Sequence, residues 1–253
     1  MEKIIEVSGL KKSYGQVEAV KGIDFYVEKG SLFAFLGPNG AGKTSLLSCI
    51  NGYYMPQEGM ILFNAINLKK VSIFNRTKMG IARTFQNVEL FNGATALDNI
   101  LAARHIHYKT GVFMSSLYYG KALHEEIHHR EIVEDIIDFL EIKPIRKKIV
   151  GSLPYGMRKR VELARALAIE PTLLLLDEPM AGMNVEEKED MARFVIDIFE
   201  EKKIPIILIE HDMGVVMDIS DRVVVLDFGK KIAEGTPEQI MHSEKVINAY
   251  LGQ

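Results

Sequence analysis

Eight consecutive residues, Gly37-Pro38-Asn39-Gly40-Ala41-Gly42-Lys43-Thr44, have the spacing G-x-x-x-x-G-K-[ST] of a phosphate-binding loop. They follow the apolar run Leu32 to Leu36 and open a helix, which is the context the pattern requires. Glycines let backbone N–H groups turn inward around phosphate oxygens, and the helix N-terminus adds the positive end of its dipole. In that arrangement Lys43 reaches the outer phosphates and the Thr44 hydroxyl ligates Mg²⁺; Ser45 belongs to the same candidate nucleotide site. A second element, Leu173-Leu174-Leu175-Leu176-Asp177-Glu178-Pro179, is an apolar strand that presents two acids at its carboxyl end, where ligands sit in open α/β sheets. Asp177 suits Mg²⁺, directly or through water. Glu178 then faces the point from which water attacks the terminal phosphate, and it can polarise that water.

A rival chemistry comes from His124-Glu125-Glu126-Ile127-His128, which matches H-E-x-x-H, the helix of zinc hydrolases. Five of the seven His lie between His105 and His129, so local enrichment makes the match easy to reach by chance. At 100° per residue His124 and His128 share a stripe with Glu131 and Asp135, opposite Val133, Ile137 and Leu140. That is the wet face of an amphipathic helix. No motif supplies a third ligand, so the expectation is a solvated surface and not a zinc centre built on His124, Glu125 and His128.

The elements that must position the first two motifs can be read from the pattern around them. Short strands are expected at Ile4 to Val7, Ile23 to Val27, Ser31 to Leu36 and Met60 to Phe63, with a helix from Lys43 to Asn51 closed by Gly52. From about Ala94 to Leu167 the pattern turns helical, with Leu123, Ile127, Val133, Ile136, Ile137 and Leu140 forming one buried stripe. After Pro171 strands and helices alternate: Leu173 to Leu176, Val185 to Lys202, Ile206 to Ile209, a short helix near Met213, and Arg222 to Leu226. Such alternation implies a parallel sheet. The fold class is therefore α/β, a P-loop NTPase sheet of the RecA-like kind with an N-terminal antiparallel β portion and a mostly helical insert. A single domain over 1–253 is expected, with a catalytic body at approximately 1–93 and 168–253 and the helical subdomain at approximately 94–167.

Composition narrows the classes further. With 253 residues, 47% hydrophobic and 26% charged, the chain has the material for a folded core. Lys and Arg number 31 against 34 Asp and Glu, a net charge of −3, so no global positive field holds a nucleic-acid backbone and no nucleic acid is expected as a partner. The start of the sequence alternates charged and apolar residues with no signal-peptide core, and no apolar run approaches the ~20 residues of a membrane span. The one cysteine, Cys49, excludes an intrachain disulfide, fits a reducing compartment and reads as an apolar helix residue. In that setting Asn75-Arg76-Thr77 is an accidental match to a glycosylation acceptor.

Over nearly its whole length the chain resembles the ATP-binding subunits of ABC transporters. The resemblance rests on Tyr14 ahead of the phosphate loop, Gln86 after it, Leu153-Pro154-Tyr155-Gly156-Met157 before a helix, Asp177-Glu178, and His211 closing a strand. It implies that Tyr14 stacks on adenine, that Gln86 links the Mg²⁺ and water site to the membrane partner, and that His211 touches the terminal phosphate. It further implies a head-to-tail dimer in which Gly156 and the N–H groups after it close the partner's nucleotide site. The family's signature loop usually reads Leu-Ser-Gly-Gly-Gln. Here Pro154 supplies neither hydroxyl nor N–H, Tyr155 replaces a glycine, and Asn184 stands where an Asp is usual.

These departures resemble one subfamily, the LivG-type subunits of branched-chain amino-acid importers, as do Arg83-Thr84-Phe85-Gln86, Lys109-Thr110-Gly111-Val112-Phe113, Glu210-His211-Asp212-Met213, and the tail from Gly235-Thr236-Pro237-Glu238 to Ala249-Tyr250-Leu251-Gly252. The implied activity is hydrolysis of ATP with Mg²⁺, coupled to uptake of branched-chain amino acids. The implied partners are transmembrane permease subunits, a second ATPase subunit, identical or different, and indirectly an extracytoplasmic substrate-binding protein. The implied location is peripheral, on the cytoplasmic face of the membrane, with the segment from Gln86 through Phe91 docking the permease. Urea and amide importers share much of the pattern. A permease-free ABC ATPase of translation or DNA maintenance would ordinarily carry two ATPase domains or a coiled-coil insert, whereas this chain has one motif set.

Overall fold

The computed structural model describes residues 2–86, 88–108 and 121–251. Asn87 of the expected docking segment, the motif Lys109 to Phe113 and Gly252 of the tail lie outside the described residues. The chain divides into two compact units, one of Met1–Gln86, Thr172–Ala181 and Lys188–Gln253, the other of Asn87–Pro171 and Gly182–Glu187.

The first unit holds two sheets. Strands β1 (Lys3–Tyr14), β2 (Val17–Glu28), β4 (Glu58–Phe63) and β5 (Ile66–Asn67) form an antiparallel sheet in the order β2-β1-β4-β5. Strands β3 (Leu32–Leu36), β6 (Ile81–Arg83), β7 (Leu173–Asp177), β8 (Ile206–Ile209), β9 (Arg222–Asp227) and β10 (Lys230–Gly235) form a second sheet in the order β10-β9-β3-β8-β7-β6. Its four pairings from β9 through β6 are parallel, and at the edge β10 runs antiparallel to β9. All residues of β3, β7 and β8 are buried, as expected for parallel strands covered on both faces, which explains why they read as unbroken apolar runs and not as alternation. Phe25 from the first sheet meets Phe35 from the second edge-on, with ring centroids 5.0 Å apart, so the two sheets share one core.

Helix α1 (Lys43–Asn51) starts and stops where the sequence predicts, and Gly52 caps it in the left-handed region at φ 92°. Helix α2 (Ile73–Lys78) is held against its end by Arg76, a buried guanidinium that donates to the carbonyls of Cys49, Ile50, Leu68 and Val71. Cys49 itself is buried, and burial pushes its thiol up to about 11, far from a reactive thiolate.

The second unit contains α3 (Ala96–Ala103), α4 (Lys121–Phe139) and α5 (Tyr155–Leu167), and the start of α6 (Val185–Glu200). Thr95 and Asp98 close a reciprocal capping box at the start of α3. On α4 and the residue that follows it the buried stripe is Val133, Ile136, Ile137 and Leu140. Leu123 and Ile127, expected on it, are exposed instead, and His129 is buried in their place. The reason is Arg104, whose Nε and Nη2 both reach His129 Nδ1, at 3.1 and 2.9 Å, while Nη1 bonds Ala168 O and Glu170. A polar network, not an apolar stripe, packs that turn. No helix among the described residues is long and apolar enough to cross a membrane.

Candidate functional site

The phosphate loop hangs between the end of β3 and the start of α1, and its backbone is pinned from two sides. Gly37, at φ 143°, approaches β9 so closely that a Cβ would lie 2.1 Å from Leu226 O. Gly42, left-handed at φ 98°, sits where a Cβ would lie 2.1 Å from Ala19 O. Only glycine fits either position. Between them Ala41 O accepts from Gly229 N, and Gly229 O accepts from Lys21 N. The loop is thus held in place by the strands beside it, as a cradle for phosphate requires. Lys43 is buried and donates to Gly37 O at 2.6 Å and Pro38 O at 2.9 Å. Burial pulls its pKa down, opposed by the nearby carboxylates of Glu178 and Asp177.

Beside the cradle the ends of three parallel strands bring the remaining chemistry together. Asp177 closes β7 with no exposed surface, and Thr44 donates to its Oδ1 at 3.3 Å. Glu178 follows in the left-handed region at φ 50°, an uncommon conformation for a residue with a side chain, and its N–H donates to Ile209 O of β8 at 2.9 Å. That backbone bond aims the carboxylate out of the sheet end. Its Oε2 accepts from Gln86 Nε2 at 2.8 Å, and its Oε1 lies 2.5 Å from His211 Nε2. A cleft of about 330 Å³ is lined by Asn39, Gly40, Lys43, Thr44, Ser45, Gln86, Glu178, His211 and Tyr14. The sequence-predicted residues Tyr14, Gly37 to Ser45, Gln86, Asp177, Glu178 and His211 therefore converge on one site within the first unit.

Tyr14 ends β1, 38% exposed, with the edge of Tyr54 5.1 Å from its ring and Lys12 Nζ 5.0 Å from its centroid. The ring lies on the rim of the cleft, partly exposed. Thr44, Asp177 and Gln86 carry oxygen atoms of the hard kind that Mg²⁺ prefers, and Thr44 and Asp177 are in direct contact.

Gly156 lies in the second unit, in the first turn of α5, whose N-cap Pro154 makes no side-chain cap bond. A Cβ on Gly156 would lie 2.3 Å from Glu187 Oε1. Glu187 in turn exchanges bonds with Asn184, accepting from its N–H at 3.1 Å and donating its own N–H to Asn184 Oδ1 at 2.9 Å, so Asn184 caps α6 without a charge. Tyr155 packs its ring against Gly182. His124 and His128 are exposed together with Glu131 and Asp135, and no group of three or more His, Cys, Asp or Glu side chains among the described residues is placed to hold a metal ion.

Two residues at the site, Arg83 and Glu210, stand within segments that carry the family resemblance but have no site role assigned from the sequence. Arg83, at the end of β6, pairs with Asp177 Oδ2 at 2.7 Å. Glu210, buried at the end of β8, accepts from Met180 N at 2.9 Å and from His211 N at 3.2 Å, tying the loops after both catalytic candidates. Burial raises its pKa, with the two backbone bonds opposing. The signal for each was a charge ending a short apolar run.

Known proteins resemble this chain in sequence and in fold. Residues 20–181 match the family model described as ABC transporter, and residues 230–253 match one described as branched-chain amino acid ATP-binding cassette transporter. The chain is 39% identical to the high-affinity branched-chain amino acid transport ATP-binding protein BraF of Pseudomonas aeruginosa, over 99% of this chain and 98% of that protein. It is 36% identical to LivG of Escherichia coli K12, the protein of the same description, over 100% and 99%. Among solved structures, the ADP conformation of an ATP-binding cassette of an ABC transporter superposes with a TM-score of 0.86 at 29% identity, covering all of both chains. A nucleotide-free cassette gives 0.85 at 29% identity over 99% and 100%. The match spans sequence and fold, and this chain belongs to the ATP-binding subunits of ABC transporters, as an α/β P-loop ATPase.

Proposed function

We propose that the chain is the ATP-hydrolysing subunit of an ABC importer for branched-chain amino acids, working as a head-to-tail dimer beneath a permease on the cytoplasmic face of the membrane. The observation that carries the hydrolytic part is the double grip on Glu178, from Gln86 on one oxygen and His211 on the other, beside the phosphate loop. The substrate class is supported by the two relatives named for branched-chain amino acid transport and by the tail match at 230–253. On this reading residues 1–253 are one ATPase domain, with approximately 1–93 and 168–253 as catalytic body and approximately 94–167 as helical subdomain.

Each residue then has a task that its setting suits. Loop N–H groups and Lys43 hold the phosphates, and the planar base rests on Tyr14. Thr44 and Asp177, with Gln86, hold Mg²⁺, which when bound supplies positive charge against the phosphate oxygens. Glu178 takes the proton of the attacking water, and His211 orients Glu178 and contacts the terminal phosphate. The partner subunit's nucleotide is closed by the N–H groups after Pro154, including Gly156, at the start of the 13-residue helix α5. ATP, gripped by both subunits, favours the closed dimer, and its hydrolysis releases that preference.

The docking segment suits a permease contact. Phe91 is 62% exposed, and Asn99 fixes its backbone by accepting from Phe91 N at 2.8 Å and donating to Phe91 O at 3.1 Å. A fixed, exposed aromatic makes an anchor. The test is reconstitution with two permease subunits, a second ATPase and an exported binding protein in liposomes. Hydrolysis stimulated by leucine, isoleucine or valine on the binding-protein side supports the reading, whereas stimulation by urea or amides alone replaces its substrate.

A further inference from the structure

Asp177 is not held by the phosphate loop alone. The Arg83 side chain is 5% exposed, and it reaches across from β6 to pair its Nη2 with Asp177 Oδ2 at 2.7 Å. Its Nη1 donates to Ser48 Oγ at 3.0 Å, and that hydroxyl donates to Thr44 O at 2.7 Å. Thr44 Oγ1 closes the ring by donating to Asp177 Oδ1 at 3.3 Å. Four residues from α1, β6 and β7 thus form one circuit, and each oxygen of Asp177 has its own donor within it. The guanidinium also lies over Phe85, with Cζ 5.2 Å from the ring centroid, a cation–π contact. Its Nε is buried with no hydrogen-bond partner among the described residues. A buried donor left unused shows that the fork is oriented for its two terminal nitrogens.

We infer that Arg83 is a positioning residue for the metal-bearing pair. By occupying Oδ2 it removes one of the two equivalent faces of the carboxylate and turns Oδ1 toward Thr44, where the metal of the proposed function is held. Guanidinium suits this task because it stays charged and spans two acceptors at a fixed angle; a lysine ammonium, a single point charge on a flexible stem, holds one of them less rigidly. The inference rests on the reading of Thr44 and Asp177 as the metal-bearing pair.

The test uses the full chain with Arg83→Met and Arg83→Lys. ATP affinity is measured in EDTA by calorimetry, the Mn²⁺ spectrum of the ATP-loaded protein by electron paramagnetic resonance, and kcat and KM by steady-state hydrolysis. Expected for Arg83→Met are metal-free ATP affinity and KM within about threefold of wild type, an altered Mn²⁺ spectrum, and kcat lower by about 100-fold, since loss of alignment at a reacting centre has that scale. Arg83→Lys is expected between the two in spectrum and kcat. A wild-type Mn²⁺ spectrum and kcat in either folded variant overturns the inference. So does loss of metal-free ATP affinity in step with kcat, which is the behaviour of a structural strut. If Arg83→Met does not fold, Arg83→Lys decides by the same criteria. Wild-type protein that binds ATP equally with Mn²⁺ and with EDTA would instead remove the metal-bearing pair itself, and the inference with it.

Discussion

Glu178 Oε1 lies 2.5 Å from His211 Nε2, although the two residues are 33 positions apart. The parallel register that pairs Asp177 with Ile209 places the residues just past both strand ends side by side. An ionised carboxylate has only acceptors, so the bond requires the proton on Nε2. Glu178 is therefore oriented by a neighbouring strand, and its geometry is a property of the sheet and not of its own loop.

Lys43→Ala is expected to weaken ATP binding by about 10- to 150-fold, the equivalent of roughly 1.5–3 kcal/mol for a charge-assisted contact. The fold is expected to survive, because the Lys43 bonds to Gly37 O and Pro38 O serve the loop and not the core. Isothermal titration of the folded variant checks this, and unchanged MgATP affinity would remove the phosphate-loop assignment.

Changing both His124 and His128 to Ala is expected to leave ATP hydrolysis within about threefold of wild type, because both side chains are exposed on α4. Stoichiometric zinc in the purified protein, lost in the double variant together with a peptidase activity, would contradict the solvated-face reading.

The helical unit is expected to lose stability in mild acid through His129. Burial, reinforced by Arg104, holds its pKa below 6.5; His128 and His107 act in the same direction and Glu125 opposes. The folded chain thus binds its proton less readily than the unfolded chain. Stability from this site is complete above the unfolded pKa near 6.5 and is lost as pH falls from there through the folded value. Melting temperatures compared at about pH 7.5 and about pH 5.5 should fall more for wild type than for His129→Gln, which keeps an acceptor for Arg104 but does not titrate. Equal falls would show that another group governs the acid response.

The parts of the site written locally were legible in the sequence. The phosphate loop, the apolar run into Asp177-Glu178 and the helix Lys43–Asn51 each depend on neighbours within one turn or strand. What escaped depends on partners far along the chain. Arg83 finds Asp177 94 residues away, Glu210 finds Met180 30 residues away, and Arg104 finds Glu170 66 residues away. Strand β6, three residues long, exists because β7 pairs with it, and the polar strand β10 because β9 does. Leu123 and Ile127 were misplaced because a 3.6-residue period does not register a buried His–Arg pair on the same helix.

The central claim is that ATP is shared between two subunits and hydrolysed through Glu178. Glu178→Gln keeps the size of the side chain and a hydrogen-bonding group while removing the base, so turnover should fall by about 10²–10⁴ with binding retained. An ATP that is bound and not consumed stabilises the dimer by mass action. Light scattering of Glu178→Gln at micromolar concentration is predicted to show a dimer with ATP and a monomer with ADP, formed with itself or with a second ATPase subunit in place of a self-pair loosened by Pro154. A variant that binds ATP and remains monomeric with every such partner would contradict the shared-site account.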